Sequence, residues 1–250
     1  MTKAKYDTNA KYYSDFVASA FASPTSVLRV VSEQVIETLG NPEGSDVCDV
    51  ACGEGHLARY LAQRGALVTG VDISEHLLDK ARAKTPQTFA VTYLQDDAQS
   101  LTKLKSQSFD AVTINMALMD ISNHKRTFES CQRILKPGGR FIFSILHPCF
   151  ESPFDTENPP VEVSESDDFV ACRVSRYLEE GFWTSGGDGI RGKVGAYHRT
   201  LSTYLNDLLA SGFRLEAILE PSLSEEQYET LEEQWFSKVP RGLVVKSVKV

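Results

Sequence analysis

The stretch Asp46–Ser74, DVCDVACGEGHLARYLAQRGALVTGVDIS, decides the fold. Val47, Cys48 and Val50 make a short apolar run that ends at Ala51, as a buried strand would. Gly53 and Gly55 follow and supply a tight turn. Leu57, Ala58 and Leu61 then fall on one face of a helix closed by Gly65. Leu67, Val68 and Val71 form the next strand, with Asp72 at its end. In an open α/β sheet this strand–turn–helix–strand unit lies where a nucleotide-bearing ligand binds, beyond the carboxyl ends of the strands. The helix start presents unpaired N–H groups and a partial positive charge, and a strand-end carboxylate accepts from both hydroxyls of a ribose. Gly53, Gly55 and Ala58 also satisfy the dinucleotide pattern G-x-G-x-x-A, so a nicotinamide cofactor is one reading of this stretch alone.

The same rhythm extends outward. Ser74 is placed to cap a helix reaching Lys84, and Phe89–Leu94 and Phe109–Asn115 read as strands. Ser122 begins a helix to about Leu135, Lys136-Pro137-Gly138-Gly139 reads as a turn, and Arg140–Leu146 is a further strand. Regular alternation of strands and helices predicts a parallel sheet covered on both faces. Upstream, a helix over about Asn9–Ala20 carries Tyr12, Tyr13 and Phe16. Ser23-Pro24 then reads as the start of a second helix with Leu28, Val31, Val35 and Leu39 on one face, stopped at Gly40-Asn41-Pro42.

Beyond residue 146 the rhythm breaks. Residues 147–197 hold Pro148, Pro153, Pro159 and Pro160, and glycines crowd the stretch from Gly181 to Gly195. Glu151–Val170 is acidic and has no basic residue. A loop this long in a compact domain is commonly functional, and an inserted cap with short strands near Phe169–Tyr177 is expected. Helical spacing returns at Leu201, Tyr204, Leu205 and Leu208, and Phe213–Leu219 and Leu243–Val250 read as the last strands.

At 250 residues and 42% hydrophobic content the chain can bury one large core. Its net charge of -8 gives no general attraction to a polyanion, which argues against a nucleic-acid substrate. Five scattered cysteines without a C-x-x-C pair predict reduced thiols, no metal site and a cytoplasmic setting. No signal-peptide or membrane-spanning pattern is present in the sequence.

Taken together, D-V-A-C-G-E-G at 49–55, V-D-I-S at 71–74, Q-D-D-A at 95–98, F-D-A-V-T-I-N at 109–115 and R-I-L-K-P-G-G-R-F-I-F-S-I at 133–145 resemble the motif order of class I S-adenosylmethionine-dependent methyltransferases, in the small-molecule branch similar to the enzymes of ubiquinone and menaquinone biosynthesis. The resemblance covers about Val47–Leu146. It implies a Rossmann-like, seven-stranded, mostly parallel sheet with helices on both faces and a cap inserted after the fifth strand. The expected organisation is one methyltransferase domain over residues 1–250, with residues 1–22 as a lid and 147–197 as a substrate cap.

The resemblance also implies roles. Asp49 and the backbone of Ala51, Gly53 and Gly55 would hold the methionine part of S-adenosylmethionine. Asp72 would bind the ribose, and Ile73 would pack on the adenine. Asp97, rather than Asp96, would accept from the adenine amino group, beside the Ala98 N–H. Asn115 and Met116 would border the amino group and the sulfonium. Tyr13 or Tyr6 would cover the site. His147 and His198 are the candidates for contact with the acceptor or for proton transfer. Arg199 could pair with an acidic acceptor or with the acidic insertion, and Tyr177, Phe182 and Trp183 could line a pocket or form the cap's own core. The expected partner is a small-molecule acceptor methylated at O, N or C, with no nucleic acid or membrane, by a monomer or homodimer. A protein or RNA methyltransferase, a non-catalytic S-adenosylmethionine binder and an NAD-linked oxidoreductase are the alternatives.

Overall fold

The computed structural model describes residues 5–151, 153–154, 161–164, 169–224 and 231–250. The first four residues of the expected lid and residues 152, 155–160 and 165–168 of the expected cap lie outside them. In chain order the main elements are α1 (Lys5–Thr8), α2 (Ala10–Ala22), α3 (Val27–Leu39), β1 (Asp46–Val50), α4 (His56–Gln63), β2 (Leu67–Asp72), α5 (Glu75–Lys84), β3 (Val91–Gln95) and β4 (Phe109–Ile114). Then come α6 (His124–Ile134), β5 (Leu135–Leu146), β6 (Val161–Ser164), β7 (Phe169–Cys172), β8 (Gly181–Trp183), α7 (Ile190–Val194) and β9 (Ala196–His198). The chain closes with α8 (Leu201–Ala210), β10 (Phe213–Leu219), α9 (Leu231–Lys238) and β11 (Gly242–Lys249).

Seven strands make one sheet in the order β10-β11-β5-β4-β1-β2-β3. The run β5-β4-β1-β2-β3 is parallel throughout, and β11 inserts antiparallel between β5 and β10. The alternation expected of strands buried on both faces is visible residue by residue. Val47, Ala111, Ile142 and Val244 face α3 and α4 through Val31, Val35, Leu39 and Leu61. Their neighbours Cys48, Val112, Phe143 and Val245 face the opposite core with Phe128 and Leu208. Phe128, Phe141, Phe143 and Phe213 stack at centroid separations of 5.1–5.8 Å there.

Local signals hold with corrections. Ser74 caps α5 by accepting from the Leu77 N–H at 3.2 Å. The second helix starts at Ser26 rather than at Ser23-Pro24. Ser26 Oγ accepts from Arg29 N, while Ser23 closes α2 through its N–H to Ser19 O. Asn123, not Ser122, caps α6. β3 begins at Val91, two residues later than Phe89. The 136–139 turn lies within β5 as a register jump, Phe109 pairing with Leu135 and Ala111 with Arg140. α9 was not expected from the sequence; its Phe236 is buried. In the 147–197 stretch the strands come as two hairpins, β6 with β7 and β8 with β9.

Candidate active site

The strand order reverses between β1 and β4, and a crevice at the carboxyl ends on either side of such a reversal is where open α/β sheets bind ligands. A cavity of about 870 Å³ lies there, within the ~300–1,000 Å³ usual for small-molecule sites. Its two walls come from different parts of the chain. The motif-bearing strand ends make one; the 147–197 insertion with Asp120, Phe236 and Arg241 makes the other.

On the first wall, Ala51, Gly53, Asp72, Ile73, Asp97, Ala98, Asn115 and Met116 all border the cavity. Gly53 (φ 53°) and Gly55 (φ 72°) are left-handed. A Cβ at Gly53 would sit 2.7 Å from Tyr13 Oη, and one at Gly55 2.2 Å from Tyr93 Oη. Ala51 (φ 56°) and Met116 (φ 51°) are left-handed without being glycine, and both touch the cavity. Non-glycine residues rarely adopt this conformation, and such strain collects at ligand sites. No sequence signal marks it.

Asp72 Oδ2 accepts from Gly53 N at 2.8 Å and Oδ1 from Ser74 N at 2.9 Å. Each oxygen keeps a second lone pair. Burial raises its pKa, with those two amides opposing. Asp49 lies beneath the glycine loop, outside the cavity lining. Its Oδ1 accepts from Thr113 Oγ1 at 2.9 Å, and its Oδ2 is buried without a hydrogen-bond partner. Burial pushes this carboxyl up to about 7, the Thr113 hydroxyl opposing and nearby Asp72 adding to the rise.

Asp96 gives one oxygen to Asp97 N and the other to Lys103 N. Asp97 accepts from Gln99 N at 2.9 Å. Ile73 is half exposed at the cavity edge. Asn115 donates to Ser32 Oγ at 2.8 Å and accepts from Ser144 Oγ at 2.7 Å, which holds the end of β4 against α3 and β5.

The N-terminal helices cover this wall. Tyr6 and Tyr13 pack edge to face at 5.0 Å, and both line the cavity. Burial raises the Tyr13 phenol, with Asp72 adding to it. Glu54, nearly inaccessible, receives Ser14, Lys84 and Lys80, and Ser74 bonds Asp7, so α1 and α2 are tied to α4 and α5. Tyr6 Oη donates to Asp120 Oδ2 at 2.8 Å, and Asp120 Oδ1 pairs with Arg191 of α7. One carboxylate thus links the N-terminal segment to the insertion across the cavity. Sequence reasoning missed Asp120, Glu151, Arg191, Phe236 and Arg241, all of which border the cavity. They belong to no motif, and their association is long-range.

Neither histidine candidate faces the cavity. His147 is buried, its Nδ1 accepting from Cys149 N at 3.3 Å and its Nε2 on Glu220 Oε1 at 2.9 Å. His198 Nε2 donates to the Tyr177 carbonyl at 2.8 Å, between the rings of Tyr177 and Phe154. Burial lowers the His147 pKa against the pull of Glu220. Arg199 is buried too; its guanidinium donates to Ile121 O (2.6 Å) and Ser122 O (2.9 Å). Phe182 and Tyr197 border the cavity, whereas Trp183 packs on the main core. Among the described residues no cluster of three or more metal-ligating side chains occurs, and no helix is long and apolar enough to cross a membrane.

Known proteins resemble this chain in sequence and fold. A family described as a methyltransferase domain matches residues 48–143. The crystal structure of an S-adenosylmethionine-dependent methyltransferase from Mesorhizobium loti superposes with a TM-score of 0.74 at 30% identity, covering 87% of this chain and 96% of that one. An uncharacterized protein of Haemophilus influenzae is 28% identical over 92% of this chain and 91% of its own length. A ubiquinone biosynthesis O-methyltransferase of Coxiella burnetii is 35% identical over 130 residues, so the chain spans only 55% of that relative.

Proposed function

The chain belongs to the class I S-adenosylmethionine-dependent methyltransferases, and from that premise we propose that it methylates an O, N or C atom of a small molecule held in the cavity between the strand ends and the insertion. The observation that carries this reading is the two-walled cavity. One wall has the glycine turn and strand-end acids; the other has Arg191, Glu151 and the aromatic residues Phe182, Tyr197 and Phe236. The relative named for O-methylation in ubiquinone biosynthesis supports a small acceptor. The net charge of -8 weighs against RNA.

The residues present fit the cofactor. A Cβ in the glycine turn would fill the cradle, and the orphaned Asp49 Oδ2 suits a cationic group. In this reading Asp49 and the Ala51–Gly55 backbone hold the methionine portion, and Asp72 takes the ribose hydroxyls on its remaining lone pairs. Ile73 covers the adenine, and Asp97 with the Ala98 N–H meets its edge. Asn115 and Met116 border the reacting centre, and Tyr13 closes over the glycine turn. When bound, the cofactor supplies an electrophilic methyl on a good leaving group. The chain's own work is then alignment and exclusion of water. Residues 5–22 act as lid, pinned through Glu54 and Asp120, and the described part of 147–197 acts as cap. The whole of residues 1–250 works as one domain.

The test is a consumption screen with methyl-labelled S-adenosylmethionine against fractionated metabolite pools, read by mass spectrometry. The reading expects a methylated small molecule and the demethylated cofactor. Turnover of RNA or peptide libraries alone would overturn it. Binding of the cofactor without turnover of any pool would favour a non-catalytic binder.

A further inference from the structure

We propose that Glu151 accepts the proton from a hydroxyl-bearing acceptor, a phenol or an enol, as its oxygen takes the methyl group. The inference rests on reading the cavity as the acceptor site and names both the chemistry and the residue. Glu151 borders the cavity just beyond the turn that follows β5. The other acids of the cavity have both oxygens engaged or serve a structural contact. Asp72 holds Gly53 and Ser74, Asp96 holds Asp97 and Lys103, Asp97 holds Gln99, and Asp120 holds Tyr6 and Arg191. His147 and His198 face elsewhere. Among the described residues, no donor is bonded to the Glu151 carboxylate.

Its neighbourhood suits an oxygen that loses a proton. Arg191 and Arg241 border the same cavity and act on Glu151. Arg191 Nε is buried with no hydrogen-bond partner, a donor available to an oxygen that is gaining negative charge. Burial raises the Glu151 carboxyl against both arginines, which brings it nearer to a hydroxyl proton. The step balances without another reactant. The O–H bond breaks and its proton goes to the carboxylate, the oxygen lone pair forms the C–O bond, and the C–S pair leaves on sulfur as a neutral thioether.

The test uses the full chain with methyl-tritiated S-adenosylmethionine and two matched panels, phenols with enols and primary with secondary amines. The proposal expects label on a hydroxyl compound. Glu151→Gln should then lower kcat roughly 10²–10⁴-fold and remove the acidic limb of its pH profile. Affinity for S-adenosylhomocysteine and the melting temperature should stay at the wild-type values, and Glu151→Asp should recover part of the rate. A wild-type rate and profile in Glu151→Gln, label on amines alone, or no labelled hydroxyl compound while S-adenosylhomocysteine binds would each overturn it. Failure of the wild-type protein to bind S-adenosylhomocysteine would instead overturn the reading of the site itself.

Discussion

Asp72 Oδ2 accepts a hydrogen bond from the backbone N–H of Gly53 at 2.8 Å, so the carboxylate at the end of β2 holds the glycine turn that follows β1. Two motifs that lie a strand and a helix apart in sequence are therefore one object. Any ligand that uses the carboxylate also senses the turn.

The turn makes the first prediction. Gly55→Ala places a Cβ in a left-handed conformation, costing roughly 1–2 kcal/mol, and drives it against Tyr93 Oη. The melting temperature should fall by at least about 2–8 °C by the scaling for domains of this size. Removing the hydroxyl in Gly55→Ala/Tyr93→Phe should recover part of that loss. A single variant as stable as the wild type, measured by calorimetry, would contradict the geometry.

Asp49 makes a prediction about pH. Its carboxyl is pushed up to about 7 in the folded protein, above the ordinary aspartate range, because burial favours the neutral form. Its stabilising contribution is therefore complete below about pH 4 and is lost as pH rises through 7. The stability difference between the wild type and Asp49→Asn should shift against the wild type across that window, as read by chemical denaturation at several pH values. A cationic ligand group near Oδ2 should also make binding near pH 6 release protons in the wild type and not in the variant. Calorimetry in buffers of different ionisation enthalpy measures this.

Arg199 is predicted to be structural. Its guanidinium satisfies the carbonyls of Ile121 and Ser122 and lies 5.0 Å from the Tyr197 ring. Arg199→Met should cost roughly 1.5–3 kcal/mol, seen as a lowered denaturation midpoint. The folded protein should bind the cofactor normally.

His147 is predicted to be dispensable for the chemistry, because both ring nitrogens are engaged away from the cavity. His147→Gln should keep kcat within a few-fold of wild type at saturating substrate. A loss of a hundredfold or more at unchanged stability would return His147 to the reacting centre.

The legible half of this molecule is the half written locally. The strand–glycine–helix unit at 46–74 and the strand-end acids carry their geometry in short spacings, and the sheet order follows from repeating them. The opposite wall is written in long-range pairs. Tyr6, Asp120 and Arg191 are separated by 114 and 71 residues yet meet at one carboxylate. Nothing in spacing announces that, nor the left-handed backbone at Ala51 and Met116. His147 was misplaced for the same reason. A strand end points toward the site in general, but Glu220, 73 residues away, turns the ring aside. The Ser26 cap shows the smaller version, where Ser23-Pro24 read as the start and the backbone begins the helix three residues later, at Ser26.

The central claim is that the Asp72–Gly53 crevice holds S-adenosylmethionine. Isothermal titration of S-adenosylhomocysteine into the wild type and into Asp72→Ala tests it most directly. The account predicts one site per chain in the wild type. Loss of a charge-assisted contact of about 1.5–3 kcal/mol in the variant weakens that site roughly ten- to 150-fold, with the fold retained by circular dichroism. No heat of binding in the wild type, or equal affinity in the two proteins, would contradict it.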